Sequence, residues 1–276
     1  MTYYQFEISL NPFDPWSEIL SAYLAEIDFE GFYEKDNSLH AFISKSKYSK
    51  GKFDQVLALI TSETKVEFSF YELPQQNWNA LWESNFEPVY IENRLAIIAP
   101  FHVIESSFER TIIIEPKMSF GTGHHQTTYM MCESILNASL LKKTILDMGS
   151  GTGILAILCE MEGAKKILAV DNDPWSVENC KRNVLVNNCT RIQSVLGDIQ
   201  AITGHLFDAI FANINKNILL SHMPNYVKVL NSNGFLYLSG FFGSDAQEII
   251  DFAEGLGLST FSKKEREGWC MLVLKK

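Results

Sequence analysis

A glycine-rich turn follows a short buried strand in the middle of the chain. The strand Thr144–Met148 leads into Gly149-Ser-Gly151-Thr-Gly153, and a helical pattern of apolar residues follows the last glycine. Glycine suits such a turn because it accepts a positive φ and lets a ligand approach the backbone without a Cβ in the way. The free N–H groups at the start of the helix attract polar or anionic ligand atoms. A glycine turn also occurs in ordinary tight connections, so the neighbouring residues must decide.

The glycine spacing argues against a nicotinamide dinucleotide. The fingerprint G-x-G-x-x-G, started at Gly149, requires glycine at position 154, where the chain has Ile154. The pattern found is Asp-x-Gly-x-Gly-x-Gly from Asp147, and it resembles motif I of S-adenosylmethionine-dependent methyltransferases with a Rossmann-like fold. The resemblance predicts that Gly149 and Gly151 bind S-adenosyl-L-methionine, with S-adenosylhomocysteine as the product.

Acidic residues follow the next two strands of the predicted sheet. Asp171 stands 22 residues after Gly149, where an acid can accept both hydroxyls of a ribose. Asp173 and Pro174 supply the cap and first turn of the next helix, which leaves Asp171 for a ligand. Asp198 follows the third strand, at the position where such methyltransferases usually contact adenine. An aspartate in a simple turn is an equal alternative there.

Asn213 follows the fourth strand, Phe207–Ala212, and opens a polar loop. In amine methyltransferases a residue at this position orients the nucleophile. Asparagine is suited to that task because its carbonyl oxygen accepts a hydrogen bond while its amide donates. We predict that Asn213 orients the acceptor amine, with an Asx turn as the alternative.

The most specific segment lies upstream of the glycine turn and reads Phe120-Gly-Thr-Gly-His124-His125-Gln-Thr-Thr128. The two histidines invite a metal site, but adjacent side chains point apart and no carboxylate or cysteine stands at ligand spacing. We therefore predict no metal. A glycine loop that closes over a cofactor fits the segment better.

Together these segments resemble the ribosomal protein L11 methyltransferase family, whose members modify a protein at the stalk base of the large ribosomal subunit. The resemblance covers the whole chain, and the loop before the glycine turn is its most distinctive part. It implies that Thr128, Gly149, Asp171 and Asn213 bind the cofactor. It also implies a protein-lysine N-methyltransferase whose acceptors are lysine side chains and the N-terminal amine of that ribosomal protein, free or on the ribosome.

Two departures from the family pattern concern the substrate entrance. Glu115-Pro-Lys-Met-Ser119 replaces the usual Asp-Pro-Gly-x-Ala, and Asn215-Lys216 stands where small or apolar residues are commoner. Alternative functions on the same residues are a methyltransferase of this fold with another amine or amide acceptor, and a nicotinamide-dependent oxidoreductase or a non-catalytic nucleotide-binding module. The Asn-Pro-Pro-Tyr loop expected of glutamine and adenine methyltransferases is absent from the sequence.

The periodicity around these motifs predicts two domains. Residues 1–72 alternate as β-α-β-β-α-β, the order of a ferredoxin-like α+β module, and the resemblance makes this the substrate-recognition domain. A Trp-bearing linker helix is predicted over 73–86. Residues 87–276 repeat strand, turn and helix, as a parallel doubly wound sheet requires, so we predict an α/β, Rossmann-like class I methyltransferase domain. The predicted strands are Tyr4–Leu10, Gly31–Glu34, Leu39–Ile43, Val66–Tyr71, Arg94–Ala99, Arg110–Ile114, Thr144–Met148, Lys166–Val170, Ile192–Leu196, Phe207–Ala212, Phe235–Leu238 and Cys270–Leu274.

Composition limits the partners and the compartment. The 276 residues carry a net charge of −10, which opposes binding to a phosphate backbone and predicts no direct nucleic-acid specificity. Residues 1–72 hold 6 Lys and 12 acidic residues, a net −6, so a basic protein partner is favoured. The five widely spaced cysteines indicate a reducing compartment, and neither a signal peptide nor a long apolar run is present. We predict a cytoplasmic monomer without membrane association.

Overall fold

A computed structural model describes residues 2–73, 83, 85–103, 107–117 and 119–276. The chain divides into two compact units, Met1–Phe86 and Glu87–Lys276. Most of the linker helix predicted over 73–86 lies outside the described residues. None of the helices in the described ranges is both long and apolar enough to cross a membrane.

The amino-terminal unit has the β-α-β-β-α-β order predicted for it. Its strands form an antiparallel sheet in the order β2-β3-β1-β4, which is the ferredoxin-like arrangement. Alternation along β1 turns Phe6 and Ile8 into the core, where the Phe6 ring lies 4.7 Å from that of Phe53 on α2. The elements are β1 (Tyr3–Asn11), α1 (Trp16–Ala25), β2 (Phe29–Lys35), β3 (Ser38–Ser44), α2 (Lys50–Ile60) and β4 (Lys65–Leu73).

The carboxyl-terminal unit begins with a small sheet, β5-β6-β7, and continues into a larger one with helices on both faces. Helices α3, α4 and α5 pack on one face and α6 and α7 on the other, each face with its own apolar core. The elements are β5 (Val89–Ile91), β6 (Leu95–Ile98), β7 (Arg110–Ile113), α3 (Gln126–Leu136), β8 (Thr144–Met148), α4 (Ile154–Met161), β9 (Lys166–Asp171), α5 (Pro174–Val186), β10 (Ile192–Leu196), β11 (Phe207–Asn213), α6 (Lys216–Val229), β12 (Leu230–Phe242), α7 (Ala246–Gly255), β13 (Ser259–Arg266) and β14 (Trp269–Lys275).

The larger sheet has the order β10-β9-β8-β11-β12-β14-β13. The sequence predicts a parallel sheet, whereas the observed sheet is mixed. Strands β8 to β12 run parallel, whereas β14 is antiparallel to both of its neighbours. The cause is the turn at Glu267 and Gly268, where both residues have positive φ. Two such residues make a tight hairpin, which forces the strands on either side to run in opposite directions.

Two strands were not predicted from the sequence. Strand β5 is only three residues long, and β13 carries the charged run Lys263–Arg266 on an exposed edge. Neither segment shows the run of buried apolar residues that marks an interior strand. The other strands overlap their predicted positions, including the edge strands β2 and β4, and β12 extends beyond its predicted range at both ends.

Candidate active site

The carboxyl ends of β8, β9, β10 and β11 meet at one edge of the sheet, because these strands are parallel and adjacent. Gly149 follows β8, Asp171 ends β9, Asp198 lies just beyond β10 and Asn213 ends β11. A cavity of about 370 Å³ lies at this edge and is lined by Gly149, Asp171 and Asp198. Open α/β sheets bind ligands at this edge, where the strand order reverses. The structure thus brings three of the predicted residues into one cavity.

The glycine turn after β8 is held by its neighbours. Gly149 has a φ of +74°, and its N–H donates to the Val170 carbonyl at 2.8 Å. Gly151 has a φ of +53°, and its N–H donates to Asp171 Oδ2 at 2.8 Å. A Cβ at Gly151 would overlap the backbone carbonyl of Phe120. Both the positive φ and this close approach require glycine at position 151.

Both carboxylate oxygens of Asp171 are engaged. Oδ2 accepts the Gly151 N–H, and Oδ1 accepts the Asp173 N–H at 3.0 Å. The sequence predicts an aspartate left free for a ligand, whereas the structure shows one that also orders the glycine turn. Since a carboxylate has about four acceptor positions, each oxygen keeps one for a ligand hydroxyl. The predicted cap is confirmed: Asp173 accepts the N–H groups of Trp175 and Ser176 at 3.2 and 3.0 Å.

Asp198 reaches the cavity from the loop after β10. Its Oδ1 accepts the N–H of Ile199 at 2.7 Å, at the start of a short 3₁₀ helix. His222, on α6, lines the same cavity, and its Nε2 lies 3.5 Å from Asp198 Oδ1. Sequence reasoning missed His222, because one histidine on a helix forms no pattern until the helix packs against this loop.

Asn213 lines a second cavity of about 220 Å³, whose wall also includes Phe120, His125 and Trp269. Ile214 and Asn215 line this cavity and the larger one, so the two cavities adjoin. Among the predicted residues, Thr128 is the partner of Asn213: the Asn213 amide donates to the buried Thr128 hydroxyl at 3.4 Å.

The Asn213 Oδ1 atom is buried and has no hydrogen-bond donor within the described ranges of the chain. A buried acceptor left unpaired costs about 1–3 kcal/mol, and such groups in native proteins call for an explanation. Its position beside an open cavity indicates that a donor belongs there, and an amine N–H is a donor of the right kind.

His125 serves as a helix cap and as one wall of the second cavity. Its Nδ1 accepts the Thr127 N–H at 3.3 Å at the start of α3. Its ring lies edge-on to the rings of Trp269 and Phe120, at 4.6 and 5.2 Å. Burial lowers the pKa of the imidazole below its ordinary value, so the neutral ring is favoured. In the part of the chain that is described, no group of three or more His, Cys, Asp or Glu side chains could hold a metal ion.

The loop before α3 is attached to the glycine turn through Thr152. The Thr152 hydroxyl donates to the Gly121 carbonyl at 2.5 Å, and the Thr152 N–H donates to the Phe120 carbonyl at 2.9 Å. Phe120 belongs to the second cavity, whereas the glycine turn belongs to the first. These bonds therefore set the spacing between the two cavities.

Asp147 lies buried beneath the turn. Burial raises the pKa of its carboxyl group to about 7, and the charge of Asp171 acts in the same direction. Its Oδ2 accepts the Ala156 N–H at 3.1 Å, which opposes the rise. The carboxyl group thus titrates close to neutral pH.

Comparisons with known proteins bear on this site. A family model described as "Ribosomal protein L11 methyltransferase (PrmA)" matches residues 19–276. A protein of the same name from Bacteroides fragilis is 38% identical over 273 residues, which covers 98% of both chains. One from Phocaeicola vulgatus is 38% identical over 256 residues, 92% of this chain and 91% of its own.

A solved structure gives the same relationship. The crystal structure of a ribosomal protein L11 methylase from Lactobacillus delbrueckii subsp. bulgaricus is 28% identical, with a TM-score of 0.64. It covers 68% of this chain and 98% of the solved chain. The resemblance drawn from the glycine turn and the loop before it is thereby confirmed, as is the Rossmann-like methyltransferase fold. The chain belongs to the ribosomal protein L11 methyltransferase family.

Proposed function

We propose that this protein transfers methyl groups from S-adenosylmethionine to amines of ribosomal protein L11, the acceptor named for its relatives. The observation that carries the proposal is the buried Oδ1 of Asn213, which is unpaired among the described residues and belongs to a residue that lines a cavity adjoining the proposed cofactor cavity. Direct methyl transfer needs the methyl donor and the acceptor amine in neighbouring sites. The two cavities are neighbours, because Ile214 and Asn215 line both of them.

The residues of the larger cavity fit S-adenosylmethionine. Asp171 retains acceptor positions for the ribose hydroxyls, and Asp198 offers a carboxylate to adenine. A Cβ at Gly149 would overlap the Ile214 side chain, so the missing side chain lets Ile214 pack against the glycine turn in the wall that both cavities share. When bound there, S-adenosylmethionine supplies an electrophilic methyl group on a sulfonium.

In this proposal Asn213 positions the acceptor. Its Oδ1 accepts one N–H of a neutral amine, and the bond from its amide to Thr128 sets the orientation of that oxygen. The nitrogen lone pair is then left to face the adjoining cavity. Holding two reactants in line can lower a barrier by about 7–11 kcal/mol, so positioning by Asn213 and Thr128 accounts for catalysis without a strong base.

The second cavity also favours the reactive form of the acceptor. Only the neutral amine has a lone pair, and deprotonation at pH 7 costs about 4.6 kcal/mol for lysine and about 1 kcal/mol for an α-amine, from ordinary pKa values near 10.4 and 7.7. Phe120 and Trp269 make the cavity partly apolar, and His125 adds an imidazole whose pKa is lowered. An apolar wall lowers the pKa of a bound amine, because it disfavours the charged form.

We further assign substrate recognition to the amino-terminal unit. The charge of −6 on residues 1–72 supports this, because a lysine-bearing ribosomal protein is attracted to an acidic surface. The acceptor is then the stalk-base protein of the large subunit, free or on the ribosome, and the enzyme acts as a monomer in the cytoplasm.

The proposal is tested by incubating the protein with S-adenosylmethionine and recombinant L11, followed by intact-mass and tandem mass spectrometry of L11. We expect added methyl groups on lysine or N-terminal amines, and strong loss of that signal with Asn213→Ala. Asp208→Ala serves as the control, because Asp208 lies at the other end of β11. If the protein binds S-adenosylhomocysteine but the mass of L11 is unchanged, the assignment of L11 as the acceptor is wrong. If NAD rather than S-adenosylhomocysteine raises the thermal stability of the protein, the assignment of the cofactor is wrong.

A further inference from the structure

The side chains of Tyr226, His222 and Asp198 form a row of contacts that runs from the buried core to the larger cavity. Tyr226 on α6 is completely buried, and its hydroxyl lies 3.3 Å from Nδ1 of His222, one helical turn earlier. The other ring nitrogen of His222, Nε2, lies 3.5 Å from Asp198 Oδ1. His222 is 9% exposed, and the surface that remains faces the cavity.

The Tyr226 hydroxyl and the Asp198 carboxylate together indicate which histidine nitrogen carries the hydrogen, because an ionised carboxylate only accepts, whereas a phenol can donate. Burial, followed by the charge of Asp198, raises the pKa of this phenol, so it stays protonated. A phenol O–H that donates to Nδ1 leaves the hydrogen of a neutral imidazole on Nε2. The Nε2–H group then faces Asp198.

Asp198 needs such support, because its side chain is half exposed, at 51%. An exposed carboxylate in a loop loses conformational entropy when it is ordered. Its contacts with other described residues, to Ile199 and His222, both use Oδ1. The other oxygen, Oδ2, is therefore the one available to a ligand in the cavity.

We propose that His222 is a positioning residue that, backed by Tyr226, holds Asp198 so that Oδ2 accepts a hydrogen bond from the exocyclic amine of adenine. The pair thereby selects adenine over a purine that lacks this amine. The proposal rests on the assignment of Asp198 to adenine in the proposed function.

The test compares two ligands in isothermal titration calorimetry of the full-length protein at one pH. S-Adenosylhomocysteine carries the exocyclic amine, whereas S-inosylhomocysteine carries an oxygen in its place. A hydrogen bond to a charged group contributes about 1.5–3 kcal/mol, or about tenfold to a hundredfold in affinity. We expect the unmodified protein to prefer S-adenosylhomocysteine by about this factor.

Two substitutions of His222 separate positioning from a structural role. With His222→Phe we expect the preference to fall to about threefold or less through weaker S-adenosylhomocysteine binding, while S-inosylhomocysteine affinity stays nearly constant. With His222→Gln, whose amide can still donate to Asp198, we expect a preference between those of the other two proteins. Equal losses for both ligands, or a glutamine variant no better than the phenylalanine variant, would overturn the proposal.

The contribution of Tyr226 is tested with Tyr226→Phe against Tyr237→Phe. Both tyrosines are buried, but Tyr237 lies on β12 in the core of the opposite face. We expect a reduced preference only with Tyr226→Phe, and an equal reduction with both would count against the role of Tyr226.

The controls also separate this inference from the proposed function. An unmodified protein that binds both ligands equally would contradict the adenine assignment and this proposal, but methylation of L11 would still be decided by mass spectrometry. An unmodified protein that binds neither ligand would contradict the proposed cofactor.

Discussion

The polar side chains at the two ends of strand β11 differ in how fully they are hydrogen-bonded. Near the amino end, Asp208 accepts the Thr144 N–H at 2.8 Å on Oδ2 and the Asn231 amide at 3.1 Å on Oδ1. At the carboxyl end, Asn213 keeps its Oδ1 buried and unpaired among the described residues. Asp208 thus links two other segments of the chain, whereas Asn213 retains an acceptor atom for a ligand.

Cavity size alone does not distinguish the two ends. The cavity beside Asp208 is about 430 Å³, larger than the 370 Å³ and 220 Å³ of the cavities at the carboxyl end. Glycines with no room for a Cβ occur at both ends, since Gly234 lines the cavity beside Asp208. What the carboxyl end has in addition, among the described residues, is the buried and unpaired Oδ1 of Asn213. Unsatisfied polar atoms are therefore a better guide to this site than volume.

The largest expected effect contrasts the two ends of β11 directly. Asn213→Ala should lower kcat for L11 methylation by about a hundredfold, because misplaced reactants cost about that much. Asp208→Ala should instead lower the free energy of unfolding by about 1–3 kcal/mol, because it leaves the Thr144 N–H unpaired, with kcat nearly unchanged. Steady-state kinetics and urea denaturation measure both. Similar kcat losses in the two variants would contradict the contrast.

The next effect contrasts two glycines with positive φ. Gly151→Ala adds a Cβ that overlaps the Phe120 carbonyl, whereas a Cβ at Gly204 meets nothing within 4 Å. Strain of about 1–3 kcal/mol at the turn should weaken S-adenosylhomocysteine binding about tenfold or more for Gly151→Ala. Gly204→Ala, with its φ of +81°, should cost stability and leave affinity within about twofold, as calorimetry would measure. Equal affinities of the two variants would show that crowding at the turn is unimportant.

A smaller effect concerns two aspartates on adjacent strands, Asp147 on β8 and Asp208 on β11. Burial raises the pKa of Asp147 from its ordinary 3.8 to about 7, so the folded protein holds this proton more tightly than the unfolded chain. This contribution favours folding fully below about pH 4 and is lost as pH rises to about 7. Between about pH 6 and pH 8 the group should lower the free energy of unfolding by about 1 kcal/mol.

Urea denaturation across that pH range measures the loss. Asp147→Asn should remove this part of the pH dependence, and Asp208→Asn should keep it. A variant Asp147→Asn whose pH slope equals that of the unmodified protein would contradict the raised pKa.

The smallest expected effect compares the charges of the two parts of the sequence. Residues 1–72 carry −6, and residues 73–276, with 17 basic and 21 acidic side chains, carry −4. If the acidic amino-terminal unit attracts L11, kcat/KM should fall several-fold between about 0.05 M and about 0.5 M salt, because charges separated by more than the Debye length are screened. A response unchanged by salt would argue against electrostatic attraction of the acceptor.

Much of the fold and part of the site could be predicted because the signals are local. An interior strand is a short apolar run, and the cap at Asp173 depends on two following residues. The hairpin at Glu267 and Gly268 was not predicted, since its first strand is polar and exposed. The roles of His222 and Trp269 were also missed, because each becomes meaningful only beside residues far away in sequence.

The sequence by itself determined the glycine turn, the acids after the parallel strands and the asparagine after β11, because backbone conformation and strand order follow from nearby residue types. Only the tertiary structure decided which atoms remain available. Whether the oxygens of Asp171, Asp198 and Asn213 are paired depends on donors from other segments. Hydrogen bonding acts over about 3 Å, so such pairing is settled when the chain has folded and distant residues have come within that distance.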